Sequence, residues 1–238
     1  MLEKILLFQV SEYLKESEPP LLAAYQSGYR KGCTNTALAK VTHDVYANLD
    51  NGRCTVMVLV DFSLAFNCVK HRILEDKLRR EFNFSPSAVN LISSYLDGRS
   101  QVVRVGDQYS TELPVADGTP QGSCLSAMMF SLYINSIAEV IECKYHLYAD
   151  DLQLYVSGSI DDVDALVEKI NRDLASIERW STFNGLFPNP RKTQAIIFSR
   201  NGAVTPNRSI MFCSERIQLS KSVKNLSLRL DNNLRWTE

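Results

Sequence analysis

Residues 146 to 155 read HLYADDLQLY, two adjacent carboxylates, Asp150 and Asp151, set between short apolar runs. Apolar residues on both sides of a polar pair predict a β-hairpin with the carboxylates at its tip. Asp is common in turns, so these few residues alone are also consistent with an ordinary polar turn. What gives the pair weight is a second stretch, TVMVLVDF, residues 55 to 62. This β-branched and apolar run predicts a strand buried on both faces and ending at Asp61. If the two strands are neighbours in one sheet, three carboxylates converge. Like charges at that range repel unless a cation sits between them. Carboxylate oxygens as the ligands suit Mg²⁺ or Mn²⁺, and a pair of such ions stabilises the attacking and leaving oxygens of phosphoryl or nucleotidyl transfer.

Around these strands the pattern alternates helix and strand, without repeats or low-complexity stretches. Val69, Ile73, Leu74, Leu78 and Phe82 keep helical spacing. SPSAVNLISSYLDG offers Ser85 as N-cap, Pro86 at the first helical position and Gly98 as the stop. SQVVRVGDQYSTELPV alternates about Gly106-Asp107 and predicts a hairpin, while SCLSAMMFSLYINSIAEVI reads as a mostly buried helix. From Ser159, with Asp162 three residues on as a capping box, Val163, Leu166, Val167, Ile170, Leu174, Ile177 and Trp180 mark one face of a long amphipathic helix. Short strands are expected near AIIFS, SIMFC and RIQLS.

Composition sets the bounds. At 238 residues and 45% hydrophobic content the chain can bury a core as one domain, or as one domain with a lobe. Its apolar runs are far short of a membrane span, and MLEKILLFQVSEYL carries charges through what would have to be a signal peptide's apolar region, so an intracellular protein without membrane contact is expected. Six scattered cysteines, with no C-x-x-C pair, suggest neither a zinc site nor a disulfide framework. The net charge of −1 conceals an asymmetry: positions 188 to 237 hold nine Lys or Arg against two acids, a local +7 that leaves −8 to the rest. A basic end of this kind suits a polyanion, although a solvated basic face has the same composition.

The motifs YADD, VDFSLAFNCVKH, GTPQGSCLS and NPRKT occur in the order found in reverse transcriptases, and the flanking QSGYRKGCTNTAL, FSLYINSI, ERWSTFNGLFPNPRKTQAIIF and LDNNLRW most resemble non-LTR retrotransposon polymerases. The resemblance covers essentially the whole chain. It implies an α+β fold, a right-hand polymerase palm with partial fingers, its antiparallel palm sheet backed by helices and its thumb absent. On this basis about 1–55 would be partial fingers, 56–82 palm, 83–115 the fingers/palm connection and 116–238 palm, ending before the thumb. The full-length element would add endonuclease and thumb regions. Asp61, Asp150 and Asp151 would hold two Mg²⁺ or Mn²⁺ ions and add dNTPs to a DNA primer on an RNA template. Phe66 matches a steric gate against the 2′-hydroxyl. Gln121 would lie against the incoming nucleotide, with Gly122 allowing close backbone approach. Lys192 is the expected general acid or charge stabiliser for departing pyrophosphate, and Arg30 would meet the triphosphate.

The chain departs from the family where Leu64, Asn67 and Lys70 replace a Lys and two Asp, and where NLS at 225 to 227 replaces YLG. No triad carboxylate is lost. The alternative to an RNA-directed DNA polymerase is a truncated, catalytically silent remnant acting at most as a nucleic-acid-binding module.

Overall fold

The computed structural model describes residues 2–26, 33–200, 204–226 and 228–234. Helices α1 (Leu2–Glu16) and α2 (Cys33–Asp50) precede strands β1 (Cys54–Val60) and β2 (Phe62–Ser63). Helices α3 (His71–Arg80) and α4 (Pro86–Leu96) lead into four two-residue strands, β3 (Ser100–Gln101), β4 (Arg104–Val105), β5 (Gln108–Tyr109) and β6 (Leu113–Pro114). Helix α5 (Cys124–Ile134), strands β7 (Lys144–Tyr148) and β8 (Asp151–Gly158), and the long helix α6 (Val163–Phe183) come next. Strands β9 (Phe187–Pro188), β10 (Gln194–Phe198), β11 (Ile210–Phe212), β12 (Glu215–Ile217), β13 (Ser222–Asn225) and β14 (Leu228–Asp231) follow. The chain divides into two compact units, Met1–Leu22 with Leu64–Asn135, and Ala23–Ser63 with Ser136–Glu238.

The second unit is organised by a four-stranded antiparallel sheet in the order β10-β1-β8-β7. Strand β1 is central, and its uninterrupted apolar run is explained by helices on both faces. On one face Met57 is paired with Tyr155 and Ile196, and these pack with Val41, Val45 and Leu49 of α2 and with Val223 and Leu230 of the β13–β14 hairpin. The other face carries Gly158, where an added Cβ would stand 2.9 Å from Leu166 Cδ2, so α6 lies directly over that strand end. Val163, Leu166, Val167, Ile170, Leu174 and Ile177, the residues whose spacing predicts the apolar face of α6, are buried. Each fully buried aliphatic side chain contributes roughly 1.5–3 kcal/mol. The start of α6 differs from the expectation: Ser159 accepts a hydrogen bond from the Asp161 N–H at 3.4 Å and opens a short 3-10 turn, and the α-helix begins only at Val163. Asp162 itself stands at the N-cap of the α-helix and makes no side-chain cap hydrogen bond there.

Farther along α6, the buried Asp173 carboxylate accepts the backbone N–H groups of Glu142 (3.1 Å) and Cys143 (2.8 Å). The helix thereby holds the chain just before β7 begins.

In the first unit α5 is buried almost throughout, and α1 and α3 pack against it. Ser85 caps α4 by accepting from Ala88 N–H at 3.3 Å, with Pro86 at the first position, as the sequence predicts. The hairpin about Gly106 forms too, with β4 pairing β5 and β3 pairing β6, but its eight strand residues are all exposed. Cys54, Cys68, Cys124, Cys143 and Cys213 are free thiols. Among the described residues no helix is long and apolar enough to cross a membrane.

Candidate active site

The HLYADDLQLY segment forms the expected hairpin. Its strands β7 and β8 pair from Lys144↔Tyr155 to Tyr148↔Asp151, and Ala149, at φ 55°, and Asp150 make the turn. Strand β8 pairs in turn with β1 through Val60↔Leu152. Continuing that register by one residue sets Asp61 opposite Asp151, and directly opposed residues in an antiparallel ladder have Cα atoms about 4.5–5.5 Å apart. The sequence expectation that Asp61 and the Asp150–Asp151 pair belong to neighbouring strands therefore holds.

The electrostatics agree with that proximity. Burial pushes the Asp61 carboxyl above its ordinary value, and the positive charge of Lys192 pulls it partly back. Asp150 is raised chiefly by burial and further by the Asp61 charge, while its own backbone N–H opposes the rise. Asp151 keeps a side open to solvent, yet protein around its carboxylate, followed by the charges of Asp150 and Asp61, raises it as well. Three carboxyls held above their ordinary range by desolvation, Asp150 and Asp151 also by neighbouring carboxylates, are a site that gains from a cation.

The Asp61 side chain supports the same view: its Oδ2 is buried without a hydrogen-bond partner among the described residues. Its backbone is fixed from both sides, the N–H donating to Thr193 Oγ1 (3.3 Å) and the carbonyl accepting from Asn189 N–H (2.8 Å). A buried acceptor left over in an otherwise ordered residue has the chemistry of a ligand position. Among the described residues, however, no group of three or more His, Cys, Asp or Glu side chains is arranged to close around a metal ion. The donor set fits a hard divalent cation in type and charge, and the triad falls short of a finished cage.

A small pocket of about 70 Å³ collects Asp61, Asp151, Lys192 and Lys224, with Gln153 and Asn225 in its wall. Lys192 reaches it from the turn after β9, where its N–H and that of Thr193 donate to the Asn189 carbonyl at 3.2 and 2.9 Å. Gln153 and Asn225 are each about 1% exposed and bond reciprocally: Gln153 Nε2 donates to Asn225 Oδ1 (2.6 Å) and Asn225 Nδ2 to Gln153 Oε1 (3.0 Å). This pair fixes β13, and with it Lys224, beside the carboxylate strand. Composition shows the basic end but not this arrangement, since the partners are 72 residues apart.

The remaining expected residues belong to the first unit. Phe66 stacks on the fully buried Phe130, ring centroids 4.4 Å apart and planes 24° apart, which fixes its ring. Gln121 Nε2 donates to Asn67 Oδ1 at 3.1 Å, so the departure at Asn67 supplies a partner for Gln121. Gly122 adopts φ +82°, which demands glycine, but an added Cβ there meets nothing within 4 Å. A close approach within the chain itself occurs at Gly118, where φ is +86° and an added Cβ would lie 2.9 Å from Asn67 Cα and its carbonyl oxygen. Another departure, Lys70, forms an ion pair with Asp117 at 2.6 Å. Arg30 lies outside the described residues.

Sequence reasoning missed Glu3. Its carboxylate accepts from Tyr95 Oη (2.8 Å) and Ser123 Oγ (3.1 Å), and Ser123 caps α5 through Leu125 N–H (3.1 Å). The Tyr95 hydroxyl is the main cause holding Glu3 below the usual carboxylate range. Glu3 thus anchors the start of α5, directly after Gln121 and Gly122, and its 120-residue separation from Ser123 left no local signal.

A family profile described as "Reverse transcriptase (RNA-dependent DNA polymerase)" matches residues 1–230. Curated relatives include the probable RNA-directed DNA polymerase from transposon X-element of Drosophila melanogaster, 32% identical over 225 residues, covering 87% of this chain and 25% of that protein. The RNA-directed DNA polymerase from mobile element jockey of the same organism is 24% identical over 222 residues, covering 90% and 24%. That from transposon BS is 28% identical, covering 74% of this chain and 20% of its own length. The chain thus spans a fifth to a quarter of the length of these relatives. Among solved structures, apo telomerase from Candida tropicalis truncated from its C-terminal domain superposes with a TM-score of 0.62 at 14% identity, over 96% of this chain and 43% of that one. Telomerase from Candida tropicalis with a fragment of telomeric RNA gives the same TM-score at 13% identity, over 96% and 35%. At such identity the likeness concerns the fold.

Proposed function

The chain belongs to the reverse transcriptase (RNA-dependent DNA polymerase) family, and from that premise we propose that it carries the nucleotidyl-transfer centre of a retrotransposon RNA-directed DNA polymerase. The observation that carries the reading is that Asp61, Asp151 and Lys192 line one pocket at the end of the paired strands β1 and β8. In the reaction the primer 3′-hydroxyl attacks the α-phosphorus of a dNTP. A phosphodiester bond forms, the bond to the β-phosphate breaks, and pyrophosphate and the hydroxyl proton leave.

Asp61, Asp150 and Asp151 would hold Mg²⁺ or Mn²⁺, which when bound supplies charge stabilisation to the attacking and leaving oxygens. Lys192 contributes a positive charge beside Asp61 and serves the departing pyrophosphate, as charge stabiliser or proton donor. Phe66, its ring fixed by stacking, is the gate that disfavours ribonucleotides. Gln121, held by Asn67, faces the nucleotide, Gly122 gives the loop its backbone turn, and Arg30 meets the triphosphate. In this reading the unit built on the β10-β1-β8-β7 sheet is the palm, RNA is the template and DNA the primer.

Primer extension on an oligonucleotide-primed RNA template, compared in Mg²⁺, Mn²⁺ and EDTA, tests the proposal. Extension with metal and none with EDTA is expected. Binding of the primed template without extension under any of the three conditions would replace this reading with that of a nucleic-acid-binding remnant.

A further inference from the structure

A second cavity, of about 300 Å³, opens between β10, the segment before β11, and the chain joining β12 to β13. Ile210 and Ile217 form part of an apolar floor and are buried, while Arg208, Arg216, Lys221 and Gln218 stand exposed around it. No acidic residue lines it among the described residues. Arg216 and Lys221 form no ion pair among the described residues. Arg208 is closer to acids, with Glu168 3.8 Å from its guanidinium and the Asp164 carboxylate accepting its backbone N–H at 2.9 Å, but its side chain is more than half exposed, so that these contacts screen its charge only in part.

We propose that this cavity is a second nucleic-acid subsite, taking one nucleotide of a single strand with its phosphates against Arg208, Arg216 and Lys221. Two cations without an ion pair among the described residues, with the partly screened Arg208 beside them, call for a polyanion. The cavity's size admits one nucleotide and excludes a duplex, and an apolar floor under a cationic rim suits an unstacked base with its phosphates in water. Position supplies the second argument. Lys221 lines this cavity immediately before strand β13 begins, and β13 carries Lys224, which lines the carboxylate pocket, so one short run of chain joins the two sites. Three residues of extended chain separate these lysines by about 10 Å, the rise of roughly three stacked nucleotides. The Gln153–Asn225 pair keeps that spacing constant by tying β13 to β8. The inference rests on the polymerase reading only in taking the strand to be one that also reaches the carboxylates.

The test is fluorescence anisotropy with labelled single-stranded RNA, single-stranded DNA and a blunt duplex, titrated across salt concentrations. It compares the chain with Arg216→Ala/Lys221→Ala and with a control of equal charge loss, Lys40→Ala/Lys144→Ala. For both single strands the first double variant should bind roughly tenfold more weakly at low salt, with a salt slope shallower by about 1.4, about 0.7 for each phosphate no longer neutralised. Duplex binding and the control variant should change little. Unaltered single-strand affinity and slope in Arg216→Ala/Lys221→Ala, no single-strand binding by the parent chain, or equal losses in the control variant would each overturn the subsite. Primer extension by the parent chain is scored separately: no extension alongside an Arg216- and Lys221-dependent salt slope would sink the polymerase reading and leave the subsite standing.

Discussion

Removing one half of the Gln153–Asn225 pair should be costly, and removing both halves should not. Each amide is about 1% exposed, and the pair accounts for two hydrogen bonds, at 2.6 and 3.0 Å. Asn225→Ala deletes both bonds and strands a buried NH₂ and a buried carbonyl on Gln153. An orphaned buried polar group costs about 1–3 kcal/mol, so the substitution should destabilise by about 2–5 kcal/mol. Gln153→Ala should cost a similar amount by stranding the Asn225 amide. Exchanging both partners for apolar residues of similar shape removes the orphans, and Gln153→Leu/Asn225→Leu should lie within about 1.5 kcal/mol of the parent. The cycle of Gln153→Leu, Asn225→Leu and the double variant, followed by far-UV circular dichroism in urea, should give a coupling energy above about 2 kcal/mol. If the two single losses simply add in the double variant, the amides are not a closed pair and do not hold β13 to β8.

Other predictions concern the carboxylates and the first unit. Because burial and mutual repulsion raise Asp150 above its ordinary 3.8, its folded form binds a proton more tightly than the unfolded chain does. Its favourable contribution is therefore complete at acid pH and is lost as pH rises through the raised folded value. Asp150→Asn should consequently melt higher than the parent at neutral pH without divalent ions, by about 2–4 °C per kcal/mol relieved, lose that advantage below about pH 3.8, and abolish primer extension. A melting temperature independent of both pH and substitution would contradict the charge argument. Phe66→Ala should raise ribonucleotide over deoxynucleotide incorporation, and an unchanged ratio would reduce Phe66 to the packing partner of Phe130. Gly118→Ala combines a disfavoured φ with a clash against the Asn67 backbone, and should lower stability by about 1–3 kcal/mol in urea titrations; a loss below about 0.5 kcal/mol would mean that the loop yields freely.

What could be read from the sequence was what depends on neighbours along the chain. Ser85 and Pro86 start α4, Gly106 turns a hairpin, and the apolar residues from Val163 onward give the buried face of α6, because caps, turns and periodicity act within a few residues. The β1 run was legible for the same reason, as a strand with no polar face. The Ser159 start was misplaced by a few residues, since a Ser can cap a 3-10 turn as readily as an α-helix. Contacts between distant segments of each unit could not be read this way. Glu3 with Ser123, Gly118 against Asn67 and Gln153 with Asn225 are contacts between segments far apart in sequence, made by residue types common in loops and strands. The three carboxylates stood out because Asp61 closes an unmistakable strand and Asp150–Asp151 interrupts a hairpin. The wall of their pocket carried no comparable mark.

The hold of Asp173 on the backbone of Glu142 and Cys143 bears on how this sequence can change. That contact fixes one end of β7, and the pairing of β8 with β1 fixes the strand after the turn, so the residues from 144 to 151 form a segment of set length between two clamps. Side chains in a strand alternate faces with a period of two, and a shift of one residue that brought Asp151 to the buried position of Leu152 would put a carboxylate into the core. Point substitutions on β7 should accordingly be absorbed as ordinary packing changes. A single-residue insertion or deletion there should be lethal to the site, so lineages carrying it are expected to diverge in composition along this hairpin while conserving its length.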